Sequence, residues 1–109
     1  MPFIVHTIAL EAVAALRPVL DRLRRLDKSL HQQMRDAAES MVLNIGEAEG
    51  SDPGNARARI HTALGSTREV RSGLALAVAF GYVGKEGVEG ADARLDRVCA
   101  MLYRYLKPR

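Results

Sequence analysis

Hydrophobic residues recur every three or four positions through most of the chain, which is the spacing of one face of an α-helix. No segment alternates apolar and polar residues with a period of two, so we predict no β-strand. Glycine, proline and small polar residues interrupt the pattern at residues 27–29, 50–55 and 81–92. The sequence therefore predicts four helices joined by short connections.

The glycine, proline and small polar residues set the expected ends of these helices. The first helix is predicted to begin near Thr7, a plausible cap, and to end near Leu26. The second occupies residues 29–50, and the third begins at Pro53, a residue favoured in a first helical turn. The third ends at Phe80 before Gly81, and the fourth begins near Asp92.

Each predicted helix carries one apolar stripe that we expect to face the core. On the first helix the stripe is Ala9, Val13, Leu16, Leu20 and Leu23. On the second it is Leu30, Met34, Ala37, Ala38, Met41 and Ile45. On the third it is Ile60, Ala63, Thr67, Val70, Leu74 and Val78. On the fourth it is Leu95, Val98, Cys99, Leu102 and Leu106.

Four amphipathic helices with short connections favour an all-α fold, an antiparallel up-and-down four-helix bundle. The chain has 109 residues, 48% of them hydrophobic, which is enough for one core but not two. We therefore predict a single domain over residues 1–109. No apolar run approaches the length of a membrane span, and no signal peptide begins the chain, so we expect a soluble cytoplasmic protein.

Three large apolar residues lie off the predicted inward stripes. Leu43 stands between Glu39 and Glu47, and Leu76 and Phe80 project away from the inner stripe of the third helix. Single exposed apolar residues are common, but the three together predict an oligomer interface. The expected form is a homo-oligomer with cyclic symmetry.

The basic residues suggest a second surface. The net charge is +3, and thirteen of the sixteen basic residues are Arg, which suits phosphate contacts better than Lys does. A GC-rich coding sequence is an equal explanation of that excess. The candidate nucleic-acid contacts are Arg17, Arg22, Arg24, Arg25 and Lys28 on the first helix and Arg57, Arg68 and Arg71 on the third. The alternative is a solvated face in which these residues pair with Asp21, Glu11 or Glu69.

Part of the chain resembles a known family. The run from SLHQQMRDAAESMVLNIGEAEG through ARARIHTALGSTREVRSGLALAVAFGYV is similar to the four-helix-bundle proteins encoded in intervening sequences of bacterial large-subunit ribosomal RNA genes. The related accessory variability proteins of diversity-generating retroelements share that bundle. The marks are Gln33, Ala37, Ser40, Asn44, Ile45, Glu47, Gly65, Ser66, Glu69, Gly81 and Tyr82. The chain departs from the family's Asn-Ile-Ala-Glu-Gly, with Gly46 in place of Ala and Ala48 in place of Gly.

The resemblance implies a homopentameric ring with a basic surface. For the retroelement members it implies a nucleic-acid or reverse-transcriptase partner, and it implies no enzyme activity. Among the marks, Asn44, Glu47, Ser66 and Glu69 are expected to form a structural polar network where the second and third helices meet.

Enzyme motifs are missing from the sequence. It has no phosphate-binding glycine loop, nucleophile elbow or paired Cys/His spacing, and no helix carries the Glu-x-x-His of a di-iron bundle. Cys99 is the single cysteine, so no internal disulfide forms. We expect no catalytic residues, no metal and no cofactor.

Three interpretations follow from the sequence. The first is an oligomeric accessory protein that binds the phosphate backbone of RNA or DNA, or a reverse transcriptase. The second is a structural or protein-interaction ring with no nucleic-acid role. The third is a partner-recognition module of a mobile-element or defence cassette. No aromatic residue is interleaved with the basic ones, so the first interpretation predicts binding with little sequence preference.

Overall fold

The computed structural model describes residues 4–108 and contains four long helices in that range. They are α1 (Ile4–Leu26), α2 (Lys28–Glu49), α3 (Pro53–Ala79) and α4 (Glu89–Leu106). A single 3-10 turn, Lys85–Gly87, lies between α3 and α4. No strand occurs within the described range. Residues 1–3 and 109 of the predicted domain lie outside the described residues.

The four helices form a closed square in cross-section. Each helix packs against the next one in the chain, and α4 packs back against α1. The connections between successive helices are short, so neighbouring helices run antiparallel. The resulting body measures 42 × 22 × 20 Å. The predicted all-α four-helix bundle is confirmed.

The helix ends have recognisable capping chemistry. Asp27 caps α2 by accepting a hydrogen bond from the Leu30 N–H, and Asp52 caps α3 in the same way from Asn55. After α3, Gly81 adopts a positive φ of 77°. The Gly81 N–H donates to the Val78 carbonyl and the Tyr82 N–H to the Ala77 carbonyl, which is the bond pair of a Schellman motif.

Two expected boundaries and the placement of one residue were wrong. The first helix begins at Ile4, so Thr7 lies inside it and caps nothing. The fourth begins at Glu89, with Val88 at its N-cap position and no side-chain cap, so Asp92 lies in its first turn. Lys28 was expected on the first helix, but α1 ends at Leu26 and Lys28 is the first residue of α2.

The predicted inward faces agree with the core on α2 and largely on α3. All six predicted α2 positions are buried, and on α3 only Val78 is partly exposed, with Ala77 buried beside it. On α1 the inward face is rotated, because that helix packs on both α2 and α4. Val13 and Leu20 are only partly buried, while Val5, Ala12 and Val19 join Leu16 and Leu23 in the core. On α4 the buried face is as predicted except for Cys99, which is half-buried.

Candidate functional site

One end of the bundle is tied together by polar contacts between distant parts of the chain. The Tyr82 hydroxyl donates to Oδ2 of Asp27 at 3.1 Å, while Oδ1 of Asp27 accepts the Leu30 N–H at 3.0 Å. Arg22 on α1 donates through Nε to the Tyr82 carbonyl. The ring of Phe80 lies 5.4 Å from the ring of Tyr82. The α1–α2 turn and the segment that follows α3 therefore form one structural unit.

Three basic side chains surround this turn, and we call Arg24, Arg25 and Lys28 the turn cations. All three are exposed. Arg24 has one ion pair, at 3.4 Å to Asp21, in which the two side chains are 68% and 69% exposed. Within the described residues, Arg25 and Lys28 have no hydrogen bond or ion pair. The structure thus places three cations around one turn, where the carboxylates of Asp21 and Asp27 offset part of their charge.

The remaining candidate phosphate contacts are spread over the surface. Arg17 lies in the middle of α1, and Arg68 lies on the side of α3 that faces α4. Both side chains are exposed. In residues 4–108 neither has a hydrogen bond or ion pair. Arg57 donates through Nη2 to the Leu106 carbonyl at 2.9 Å, where it satisfies the last turn of α4. These three do not join the turn cations in one patch.

Arg71 is held by two carboxylates of α4. Its Nε and Nη2 donate to the two oxygens of Asp92 at 2.9 and 3.2 Å, and its Nη1 donates to Asp96 at 3.0 Å. The hydrogen bond with Asp92 raises the pKa of the Arg71 guanidinium above its ordinary value. The donors that would contact a phosphate are already used within the fold, so Arg71 serves the α3–α4 interface.

Cys99 lies beside this cluster. Burial raises the pKa of its thiol, an effect that the neighbouring Arg71 partly opposes. A thiol with a raised pKa is protonated at neutral pH and is a poor nucleophile.

The predicted polar residues form two separate contacts. Asn44 donates through Nδ2 to the Ser40 carbonyl at 2.8 Å and the Ser40 hydroxyl at 3.2 Å, and Ser40 shares a 2.8 Å hydrogen bond with Ser66. Asn44 therefore reaches Ser66 through Ser40. Glu47 instead pairs with Arg59 at 3.1 Å, which also joins α2 to α3.

Glu69 takes no part in either contact. It is exposed on α3 and lines a shallow hollow of about 140 Å³ between α2 and α3, together with Leu30, Gln33, Met34 and Leu76. Among the described residues it has no hydrogen bond or ion pair.

The three off-stripe apolar residues are exposed but do not form one patch. Leu43 is 57% exposed and lines an open groove of about 310 Å³ between α1 and α2. Leu76 is 43% exposed and lines the hollow between α2 and α3, and Phe80 lies one turn further along the same helix, 58% exposed. The structure places them on two neighbouring faces of the bundle.

Several residues in these sites were not singled out from the sequence. Leu10 completes the groove that contains Leu43, together with Val13 and Leu20, which were predicted to face the core instead. Asp92 and Asp96 hold Arg71, and their spacing of four on a helix was a readable signal that they share a face. Nothing in the sequence showed that this face lies opposite Arg71.

The described residues hold neither a metal-ligand cluster nor a membrane-spanning helix. No three His, Cys, Asp or Glu side chains in the described part of the chain converge as metal ligands would. None of the helices between residues 4 and 108 is both long enough and apolar enough to cross a membrane.

Comparisons with known proteins agree with the architecture. A crystal structure of a protein of unknown function from the S23 ribosomal protein family of Bacteroides thetaiotaomicron VPI-5482 superposes with a TM-score of 0.85 and 22% identity, covering 95% of this chain and 99% of that one. No curated protein matches this chain. The family model for the 23S rRNA-intervening sequence protein matches residues 5–104. Because that match spans nearly the whole bundle, the chain belongs to the 23S rRNA-intervening sequence protein family.

Proposed function

We propose that this protein is a non-enzymatic, homo-oligomeric accessory protein that binds the phosphate backbone of RNA or DNA through the turn cations. The observation that carries the proposal is the crowding of Arg24, Arg25 and Lys28 at one end of the bundle with a single weak, exposed ion pair among them. Clustered cations with few ion-pair partners are the feature that attracts a polyanion.

Two further observations support this choice of ligand. The chain carries a net charge of +3, and the family description refers to an intervening sequence of ribosomal RNA. The turn cations are expected to contact phosphates, so binding should depend on phosphate spacing and salt more than on sequence. A reverse transcriptase is a second partner to test, on the strength of the family resemblance alone.

Oligomerisation strengthens the proposal. One copy presents three turn cations, a small site for a polyanion. In a cyclic ring, which we propose to be a pentamer with its bundles parallel to the ring axis, every copy presents its α1–α2 turn on the same side. The turn cations of all copies then act on one stretch of nucleic acid as a multivalent surface.

The test is a salt titration of binding to ribosomal RNA, duplex DNA and single strands. If Z phosphates are neutralised, log affinity falls against log salt with a slope of about −0.9Z on duplex DNA and about −0.7Z on single strands. Arg25→Glu with Lys28→Glu is expected to flatten that slope and leave the assembly intact. Arg104→Glu with Lys107→Glu is the matched control, since it changes the net charge equally at the opposite end of the bundle.

The outcomes separate three cases. A salt-dependence slope that flattens only in the Arg25→Glu, Lys28→Glu variant supports the proposal. An equal loss in both variants means that net charge alone attracts the ligand, and it overturns the assigned site. No binding of the wild-type protein at low salt overturns the nucleic-acid function. That last result favours the second candidate, a protein-interaction ring, which is supported by the use of Arg22, Arg57 and Arg71 inside the fold.

A further inference from the structure

An open pocket lies at the same end of the bundle as the turn cations, between α1 and the segment that follows α3. Its volume is about 400 Å³, which falls within the about 300 to 1,000 Å³ that small-molecule sites occupy. One wall belongs to α1 and includes Pro18, Val19 and Arg22. The opposite wall belongs to the segment after α3 and includes Gly81, Gly84 and Gly87. We call this site the glycine pocket.

Arg22 brings unused hydrogen-bond donors to the glycine pocket. Its Nε donates to the Tyr82 carbonyl, and that bond holds the guanidinium at the wall of the pocket. Within residues 4–108 its two Nη groups have no hydrogen bond or ion pair. An arginine that is held through one nitrogen and free at the other two is well prepared to bind an anion such as a phosphate.

The turn cations continue the α1 wall of the pocket. Pro18, Arg22 and Arg25 follow one another at intervals of four and three residues, so they share one face of the helix. Arg25 therefore lies about one turn beyond Arg22, toward the α1–α2 turn. A phosphate chain bound by the turn cations passes beside the glycine pocket, and one of its phosphates can reach Arg22.

We propose that the glycine pocket receives the base of an unpaired nucleotide in the nucleic acid that the turn cations bind. Arg22 binds the phosphate of that nucleotide, and the base packs against the apolar side chains of the pocket. This inference deepens the proposed function and rests on the nucleic-acid binding that it includes. A duplex keeps its bases paired and stacked, so only an unpaired base can turn away from the strand and fill a pocket.

The lining of the pocket suits a flat ring system. Val19 is buried and Val83 packs against the core, so neither side chain can move away from a ligand. The glycines of the opposite wall have no side chains, so a base can approach their backbone closely. Tyr82 supplies an aromatic ring beside the basic residues, and its hydrogen bond to Asp27 keeps that ring in place.

The charges around the pocket set the direction of the nucleotide. Arg22 is the cation of the α1 wall. On the opposite wall the Glu86 carboxylate lies beside Gly84, where a Cβ atom would be 2.9 Å from Oε2 of Glu86. The phosphate therefore lies on the α1 side, and the uncharged base lies on the glycine side. With Arg22 bound to the phosphate, the remaining lining is mostly apolar side chains and glycine backbone, so the pocket is expected to accept any unpaired base.

The test compares two single strands that carry the same number of phosphates. One is a short thymidine oligonucleotide, and the other is a strand of equal length in which every nucleotide lacks its base. Cations alone bind the two strands alike, because the phosphate charges are equal. A base in the glycine pocket should make the wild-type protein bind the thymidine strand about tenfold more tightly at a fixed salt concentration. Fluorescence anisotropy measures both affinities.

Gly87→Leu is the variant that fills the pocket without changing the charge. A Cβ atom at Gly87 would have no neighbouring atom within 4 Å, so the leucine fits the fold. This variant should bind both strands with the affinity that the wild type has for the abasic strand. Gly65→Leu is the matched control, because Gly65 is exposed on α3, has the same open space and lies outside the pocket. It should keep the tenfold preference.

Crosslinking tests the same site in the unaltered protein. A single strand that carries 5-iodouracil attaches under ultraviolet light to aromatic side chains that contact the base. We expect attachment to Tyr82, in the tryptic peptide of residues 72–85, and fragmentation of that peptide separates Tyr82 from Phe80. Tyr103 is the internal control, since it is 53% exposed at the opposite end of the bundle and should stay unmodified. This measurement decides the question if Gly87→Leu loses its helical circular dichroism.

The possible results separate the pocket from the proposed function. No binding of either strand to the wild-type protein at low salt overturns the nucleic-acid function, and the pocket with it. Equal binding of the thymidine and abasic strands overturns the pocket alone. A preference that survives Gly87→Leu, or that Gly65→Leu loses equally, places the base elsewhere and overturns the assigned site. Attachment to Phe80 or Tyr103 in place of Tyr82 does the same.

Discussion

The hydroxyl of Tyr82 donates to Oδ2 of Asp27 at 3.1 Å, across 55 residues of sequence. The same carboxylate caps α2 through its other oxygen, so one side chain holds both the start of α2 and the segment that follows α3. Arg22 of α1 binds the Tyr82 carbonyl beside it. The turn cations therefore lie on a turn that hydrogen bonds hold in one conformation.

The Tyr82 contact predicts a loss of stability at alkaline pH. The hydrogen bond to Asp27, with the nearby carboxylate charge, raises the pKa of Tyr82 above its ordinary value of 10.0. The contact stabilises the fold at pH values below 10 and is lost as pH rises through the raised pKa, because the phenolate cannot donate and is repelled. Tm measured across that range should fall less steeply in Tyr82→Phe than in the wild type. Identical curves would contradict the assignment.

A methyl group at Gly73 is expected to overpack the core and destabilise the fold. A Cβ atom there would lie 2.5 Å from Cγ and 2.8 Å from Sδ of Met34, which is 2% exposed. Alanine gains about 1 kcal/mol of helix propensity, but overpacking costs about 1 to 3 kcal/mol, so we expect Gly73→Ala to lower the free energy of unfolding by about 1 kcal/mol.

Two controls for Gly73 come from the same structure. Gly65, also in α3, has open space where a Cβ would lie, with no neighbouring atom within 4 Å, so Gly65→Ala should stabilise the fold by about 1 kcal/mol. In a Met34→Ala background the methyl group at Gly73 has space, and Gly73→Ala should become stabilising. Urea denaturation measures all three, and a penalty that persists without Met34 would refute the explanation.

Arg71→Lys should destabilise the α3–α4 interface although it keeps the charge. The guanidinium bonds both oxygens of Asp92 and one of Asp96, and a single ammonium cannot reproduce that fork. Because the Arg71 side chain is 33% exposed, solvent screening reduces the expected loss to about 1 to 2 kcal/mol. Arg24→Lys, whose pair with Asp21 is far more exposed, should change thermal unfolding by less than about 0.5 kcal/mol.

Asn44→Leu should lower the free energy of unfolding by about 1 to 3 kcal/mol. The amide supplies two hydrogen bonds to Ser40, whose hydroxyl in turn holds Ser66 across the α2–α3 interface. Gln33→Leu is the matched control, because that amide is exposed and makes a single 3.4 Å bond to Ser29. Similar chemical denaturation midpoints for the two variants would show that the Asn44 amide contributes no more than an exposed one.

The fold was predictable from the sequence because the helical period of each stripe is a local property. On α2 the helical period alone identified the face that meets the core, because the apolar residues from Leu30 to Ile45 all lie on one side of the helix. On α1 the apolar residues extend to both flanks of the true face, so period alone did not distinguish Val13 and Leu20 from Ala12 and Val19. The orientation of α1 is determined by its packing against α4, which no local pattern encodes.

The candidate site was less predictable because its partners are distant in sequence. The three Arg residues of α3 that looked alike in the sequence have different environments, since Arg57 meets the end of α4, Arg71 meets two Asp residues and Arg68 meets solvent. A cation's availability depends on which side chains the neighbouring helix presents. Spacing along one helix carries no such information.

The half-buried thiol of Cys99 makes the protein convenient for spectroscopy. As the single cysteine in the sequence, with a pKa raised by burial, it presents little thiolate to a maleimide at neutral pH. A cysteine introduced at exposed Leu26 therefore takes a dye well before Cys99 does, without any need to remove the native residue. Energy transfer between dyes on different copies would then follow subunit exchange in real time, from a position beside the surface that is proposed to meet nucleic acid.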